Sequence, residues 1–494
     1  MAEAGLPARV DVLVIGAGVS GLAMAHRLNR AGVNDYIVLD KSGGAGGVWR
    51  DNRYPGAGCD VPSHLYSFSF APKPDWSRKF AGHDEIRRYF EGVAARLGLN
   101  DRLDNAQADR LEFDEAAGRW TVTLADGRSL SARIVISAVG QLNDPHTPAI
   151  EGLDRFSGPV MHTARWDEQV DLAGKRVGVI GSAASAIQMV PPTAKIAARL
   201  EVFQRTPNWV IPKPDRAFLG IEKWAFRHIP GWRRLYRLGS FLIHEARYAA
   251  FRQNSLASAF TRWRLSARLK AAVKDEALRT RLTPDYAPGC KRILLSNDWF
   301  DTLQRDNVSL HDGGVKLIEA NAVITGSDER VPVDALVLAT GFRATEFLST
   351  LDVTGREGRD LKTVWGASPS AYKGVAVPGF PNLFILYGPN TNLGHNSIIY
   401  MTEQQAGFVA RQVERILHED LRALEVEASA FEAWNAKLQR DLSGTVWAGD
   451  CPSWYKTEDG VITNNWSGLA SGFARALRGQ DRSAFIASSR AETH

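Results

Sequence analysis

Two glycine-centred turns, one beginning at Gly16 and the other at Gly181, constrain this chain more than any other feature. Residues 10–15 (Val-Asp-Val-Leu-Val-Ile) form an apolar run suited to a buried parallel strand. Gly16-Ala-Gly18-Val-Ser-Gly21 follows at once, and Leu22-Ala-Met-Ala-His-Arg-Leu then has a helical pattern. In that order the residues spell a dinucleotide fold. Gly16 permits the tight turn, Gly18 lets the backbone approach a pyrophosphate, and Gly21 allows close helix–strand packing. A second strand, Tyr36-Ile-Val-Leu-Asp40, ends in a carboxylate 24 residues after Gly16. A carboxylate there suits the ribose hydroxyl of an unphosphorylated adenosine, hence FAD or NAD.

The second signature is Arg176-Val-Gly-Val-Ile-Gly181-Ser182-Ala183-Ala-Ser-Ala186. Alanines take the second and third glycine places, which hinders close approach without forbidding it. The next strand, Leu200-Glu-Val-Phe-Gln, ends in Arg205-Thr206 where the first site has Asp40. An arginine there fits a 2′-phosphate and so NADP(H); the alternative is a solvent-facing arginine at a strand end. Two nucleotide sites in one chain suggest that one nucleotide reduces the other.

The rest of the sequence narrows what the electrons do next. The 494 residues exceed what one hydrophobic core usually supports, so two or three domains are expected. A formal charge of +5 is a weak signal for nucleic acid, because anionic cofactors explain it equally well. No run has the apolar length of a membrane span, and no secretory leader is visible. Cys59, Cys290 and Cys451 are too few and too scattered for a disulfide framework or a thiolate metal site, which points to a reducing, cytoplasmic setting and no metal. Residues 43–60, where a flavin-linked dithiol would lie, hold Cys59 without a near partner, so dithiol chemistry is disfavoured. There is no zinc or paired-carboxylate spacing and no G-x-S-x-G elbow. Oxygen, a quinone or an unsaturated substrate remains as the electron acceptor.

Between the two nucleotide signatures lies Phe156-Ser-Gly158-Pro-Val-Met-His162-Thr-Ala-Arg-Trp166-Asp167. This segment resembles the fingerprint F-x-G-x-x-x-H-x-x-x-W of type I Baeyer–Villiger monooxygenases, a family of class B flavoprotein monooxygenases. Gly47, Trp49, Tyr54, Pro55, Gly56 and Asp60 match a second family signature, though Gly58 stands where members often carry arginine. The resemblance continues through Gln204–Trp209, Gly289–Arg292, Ala339–Phe342, Gly388–Ser397 and Cys451–Tyr455.

The resemblance implies FAD and NADP(H) as cofactors, with O2 and a small organic ketone as reactants. Reduced flavin would form a C4a-peroxyflavin that inserts one oxygen atom into the ketone, giving an ester or lactone. It implies Arg292 as the catalytic arginine and Asp60 as the carboxylate that orients it. A guanidinium suits that role, being charged at every working pH and carrying a fork of donors. Lys291, with Arg205 and Thr206, would contact the NADP 2′-phosphate. His162 and Trp166 would position NADP(H) in a linker, and Trp49, Tyr54 and Asn396 would join the cofactor contacts. Sulfide or amine oxygenation is the alternative activity; a non-catalytic NADP(H)-sensing flavoprotein is a further one.

The expected fold is α/β, with two Rossmann-like domains. The FAD domain would occupy 1–150 and resume at 331–494, around an NADP domain at 151–330. A helical insertion at about 215–285 would cover the active-site entrance, pack in the core, or touch a membrane surface. A monomer or weak homo-oligomer is expected.

Overall fold

The computed structural model describes residues 6–451 and 453–490. Strand β1 (Arg9–Ile15) is almost wholly buried, as a strand covered on both faces must be. It leads through the first glycine turn into helix α1 (Val19–Arg30), and then β2 (Tyr36–Leu39) returns parallel to β1. On its other side β1 pairs in parallel with β3 (Ser129–Ser137). The N-terminal half of β3 also carries an antiparallel extension, Arg119–Leu124 and then Ala108–Asp114, turned at Gly118 and Gly127 as the Ala117-Gly and Asp126-Gly pairs predict.

The second sheet is parallel throughout. Its spatial order is β7 (Val308–His311), β6 (Arg199–Phe203), β5 (Arg176–Ile180), β8 (Ala335–Leu338) and β4 (Val160–His162). Helix α2 (Ala184–Thr193) follows the central β5 as α1 follows β1. The two turns are geometric repeats. Gly16 has φ +108°, and a Cβ on it would lie 2.5 Å from the carbonyl oxygen of Ala138. Gly181 has φ +112°, and a Cβ there would lie 2.5 Å from that of Ala339. No side chain fits either turn.

One expected boundary moves. The strand that ends before Ala339-Thr-Gly341 was to return the chain to the first domain from residue 331. Instead β8 pairs with β5 and β4 in the second sheet, so the chain crosses back only after Leu338. A buried apolar strand looks the same in either sheet, and only pairing decides. Strand β9 (Leu383–Ile385) then rejoins the first sheet beside β3. Helix α6 (Ile398–His418) follows and packs against α1.

The insertion is helical: α3 (Gly220–His228), α4 (Trp232–Ala246) and α5 (Leu256–Ala272), followed by a short helix at Glu276–Arg281. Its first part docks on the first domain, where Phe218, Phe226 and Tyr236 surround the His64 ring at 4.3–5.3 Å. Helix α5 buries Leu265 and sends Leu269 into the core of the second domain. Among the described residues no helix is long and apolar enough to cross a membrane.

The cysteine reading is corrected. Cys290 and Cys451, 161 residues apart in sequence, form a disulfide with their Cα atoms 6.4 Å apart. Distance along the chain gave no hint of a pairing that tertiary structure makes. Cysteine usage therefore no longer argues for a reducing compartment.

Burial around the insertion has a pH consequence. His64 and His244 are both pushed down to about 4, first by burial and then by nearby arginines: Arg233 and Arg237 for His64, Arg247 for His244. The unfolded chain therefore takes up protons at these sites that the folded chain refuses. Their contribution to stability is full above pH 6.5 and is lost as pH falls from there toward 4, by about 3 kcal/mol per histidine at most. Urea unfolding at pH 7 and pH 5 should show the loss, and His64→Phe should reduce it by about half, leaving the His244 share. Equal stability at the two pH values, with the fold intact, would rule out the effect.

Candidate active site and nucleotide sites

The first nucleotide turn is shaped for a phosphate. Helix α1 has no side-chain cap at Gly18 and no acid in its first turn, so its leading N–H groups are free to meet an anion. Gly18 faces Gly47, and a Cβ on Gly18 would lie 3.5 Å from the Gly47 Cα, which keeps the approach narrow and bare. Asp40 is buried at the tip of β2. Its Oδ2 accepts from the Ala17 amide at 2.7 Å, and its Oδ1 accepts from the Ser42 amide and hydroxyl at 2.9 and 2.6 Å. Trp49 donates through Nε1 to the Tyr66 hydroxyl at 2.9 Å, which fixes its indole beside this turn.

The second turn repeats the design. Ala183 caps α2 without a side-chain bond, and the first turn of that helix holds no acid. Ala186, in the third glycine place, is fully buried in the second core, so the helix–strand contact tolerates a methyl group. Asn208 Nδ2 donates to the Ser182 carbonyl at 3.1 Å, and Lys291 Nζ donates to the Thr206 hydroxyl at 3.2 Å. Lys291 also lies 4.8 Å from the centre of the Tyr286 ring. Burial holds its pKa below the usual lysine range; Asp285 opposes the shift and Arg205 adds to it. Among the described residues neither Arg205 nor Lys291 has a carboxylate within 4 Å. Two cations and a hydroxyl left without an anion match a 2′-phosphate.

Between the two folds lies the cluster that the resemblance singled out. Arg292 Nη2 sits 3.3 Å from Asp60 Oδ2, and Lys213 Nζ lies 3.6 Å from Asp60 Oδ1. The Asp60 side chain is only 8% exposed, and its Oδ1 accepts no hydrogen bond. The Arg292 side chain is 43% exposed, so its guanidinium keeps an open side while its other side grips a nearly buried carboxylate. Burial works against its charge, but Asp60, Tyr455, Cys59 and Tyr387 outweigh that and hold the pKa above the ordinary arginine value. The phenols of Tyr387 and Tyr455 are pushed up by burial and stay neutral. The Cys290–Cys451 bond fastens this arginine's loop to the segment carrying Tyr455.

The Tyr54–Asp60 turn is clamped to the second domain. Gln188 on α2 accepts from the Tyr54 hydroxyl at 2.9 Å and from the Gly58 amide at 3.3 Å, and it donates to the Gly58 carbonyl at 3.0 Å. Sequence reading stopped short of Gln188, Lys213, Tyr387 and Tyr455. Gln188 alone carried a signal, being the one long polar side chain in the mostly apolar α2.

His162 ends β4, opposite Leu338. Its Nδ1 accepts from the Ala164 amide at 3.0 Å, which places the proton on Nε2, and that atom is buried without a hydrogen-bond partner. Burial lowers its pKa; the Gly341 carbonyl nearby partly opposes the shift without reaching hydrogen-bond geometry. Trp166 packs on the second core, and Phe156 lies in an apolar cluster with Ile318 and Val331. Asn396 is buried; one N–H of its side-chain amide donates to Glu245 at 2.9 Å and its side-chain oxygen accepts from the Ser397 amide, which leaves the second amide N–H for another acceptor. A groove of about 700 Å³ between Pro72 and Arg96 contains none of these groups.

Comparison with known proteins bears on this geometry. Residues 13–219 match the family model described as pyridine nucleotide-disulphide oxidoreductase. That span covers both nucleotide turns but holds only Cys59, whose buried thiol is pushed up to about 12, so the match extends to the frame and not to a cysteine pair. A Baeyer–Villiger monooxygenase of Pseudomonas aeruginosa is 41% identical over 477 residues, covering 96% of this chain and 90% of the relative. The chain belongs to the Baeyer–Villiger monooxygenase family.

The enzyme is accordingly an oxidoreductase of the monooxygenase class. Among solved structures, an oxidised steroid monooxygenase bound to NADP is 31% identical with a TM-score of 0.87, over 97% of this chain and 100% of that one. OTEMO in complex with FAD and NADP gives a TM-score of 0.89 at 26% identity, over 97% and 99% of the two chains. For this Baeyer–Villiger family member, the likeness extends over both nucleotide folds and the insertion.

Proposed function

We propose that this enzyme binds FAD at the Gly16 turn and NADPH at the Gly181 turn, and uses Arg292 to carry a ketone through oxygen insertion to an ester or lactone. The observation that carries the reading is the Arg292 guanidinium. It is pinned by the nearly buried Asp60, charged at every working pH, and left with an accessible side. Reduced flavin, when bound, supplies the activated oxygen.

The chain's own residues then have separable tasks. The uncapped N-termini of α1 and α2 hold the two pyrophosphates. Arg205, Thr206 and Lys291 hold the 2′-phosphate and select NADPH over NADH. His162 offers its unpartnered Nε2–H to the nicotinamide half of NADP(H), and as a neutral imidazole it positions without titrating. Arg292 stabilises negative charge on oxygen, first by keeping the oxidant anionic and then by holding the oxyanion formed when the ketone carbonyl is attacked. Asp60, gripped by Arg292 and Lys213, fixes the direction of that fork. Burial keeps Tyr387 and Tyr455 protonated, so they stand near Arg292 without competing as anions.

The test is direct. Purified enzyme with NADPH, air and a panel of cyclic, linear and aryl ketones should yield esters or lactones, identified by mass spectrometry. Sulfoxides from a parallel sulfide panel without any ester would move the activity to heteroatom oxygenation. Hydrogen peroxide as the sole product from both panels would sink the reading.

A further inference from the structure

The helical insertion displays an apolar face that the catalytic reading leaves unused. In α4, Trp232, Leu235, Leu238 and Leu242 recur at spacings of three, three and four, which puts them along one side of the helix. They are 44–59% exposed, far from the usual state of large apolar side chains. In α3, Ile221 and Trp224 add a second exposed stripe, at 67% and 53%. Both helices bury their other side on the same ground. Phe226 of α3 and Tyr236 of α4 pack on the His64 ring, and Arg237 donates to the His64 and Ser67 carbonyls at 2.9 and 2.6 Å. Their opposite sides therefore look away from the body together.

Charge is concentrated in the same region. Residues 219–270 carry eleven Lys and Arg against two Glu, although the whole chain has 60 basic and 55 acidic residues, so the remainder is net acidic. Both glutamates are already engaged, Glu222 by Arg216 and Glu245 by Asn396 and Ser471. Arg227 lies 3.4 Å from Asp75, but among the described residues Lys223, Arg233 and Arg234 have no carboxylate partner within 4 Å. Arg234, on the solvent side of α4, and Lys223 of α3 thus lie beside an exposed apolar stripe, whereas Arg233 is turned inward toward His64.

We infer that α3 and α4 form a peripheral docking face for an anionic lipid bilayer, with the apolar stripe entering the acyl boundary and Lys223 and Arg234 meeting lipid headgroups. A second copy of the chain fits less well, because a twofold pairing of this face sets one cluster of arginines against another. The buried carboxylate of Glu245 ties α4 to Asn396 and to the backbone at Ala470 and Ser471, so the face is held rigidly on the catalytic body. The inference does not depend on the ketone reading, since binding is measured without turnover.

Co-sedimentation of the full-length flavin-loaded protein with vesicles tests it. The bound fraction should partition at least about tenfold more strongly to phosphatidylcholine–phosphatidylglycerol vesicles than to phosphatidylcholine alone, and the difference should shrink in high salt. Lys223→Glu with Arg234→Glu should remove the preference for charge. Leu238→Glu with Leu242→Glu should abolish binding, with flavin content and melting temperature unchanged, because both leucines are exposed. Three results would overturn the inference: no pelleting of the wild type, pelleting indifferent to lipid charge, or a dimer in solution that the leucine variant dissolves without vesicle binding.

Discussion

Arg292→Ala should lower ketone-dependent ester formation by roughly 10²–10³-fold while leaving flavin content unchanged. That range is what loss of one preorganised donor at a developing oxyanion costs, and here the donor also carries a full charge. Arg292 does not hold up the glycine turns, so FAD should remain bound and NADPH should still reduce it. Electrons would then leave as hydrogen peroxide instead of entering product. Arg292→Lys should restore only part of the activity, because an ammonium keeps the charge but loses the planar fork. The variant leaves Asp60 with Lys213 alone, at 3.6 Å, so melting temperature must be followed beside activity. Ester formation within about tenfold of wild type, on a folded and flavin-loaded protein, would remove Arg292 from the chemistry.

Why this pair was visible at all is instructive. Asp60 and Arg292 are 232 residues apart, and neither has a local pattern that marks it as more than a surface charge. Family resemblance named them, and folding brings them to 3.3 Å. The glycine turns were legible for a different reason. Their constraint is local: a positive φ and a backbone carbonyl 2.5 Å from any Cβ exclude every other residue type, so composition records the geometry. Strand β8 was misplaced because burial on both faces erases the periodicity that would report which sheet it joins. The Cys290–Cys451 bond and the Gln188 clamp were missed for the same reason as each other. Each depends on contacts between elements more than 100 residues apart, and although Gln188 stands out as polar in its helix, nothing in the local sequence names the partner that either residue meets. At Asn396 the fold adds a partner that the motif does not announce: a buried glutamate from the helical insertion takes one of its two amide N–H groups.

The second large effect concerns coenzyme choice. Arg205→Ala combined with Lys291→Ala should raise the KM for NADPH by roughly 10²–10⁴-fold, since hydrogen bonds to charged groups contribute about 1.5–3 kcal/mol each. The KM for NADH should change by less than about threefold, because that coenzyme lacks the phosphate the two cations would hold. Steady-state kinetics with both coenzymes decides the matter. An unchanged NADPH-to-NADH ratio would return Arg205 to the role of a solvent-facing strand end. The wild type should also show a signature in pH. Lys291 is held below the usual lysine range, chiefly by burial and further by Arg205, and only its charged form attracts the phosphate. Affinity for NADPH should therefore fall as pH rises, beginning earlier than an ordinary lysine would allow, while affinity for NADH stays level. In Lys291→Ala that difference in pH dependence should vanish, because the remaining cation, Arg205, is an arginine and keeps its charge throughout the accessible range.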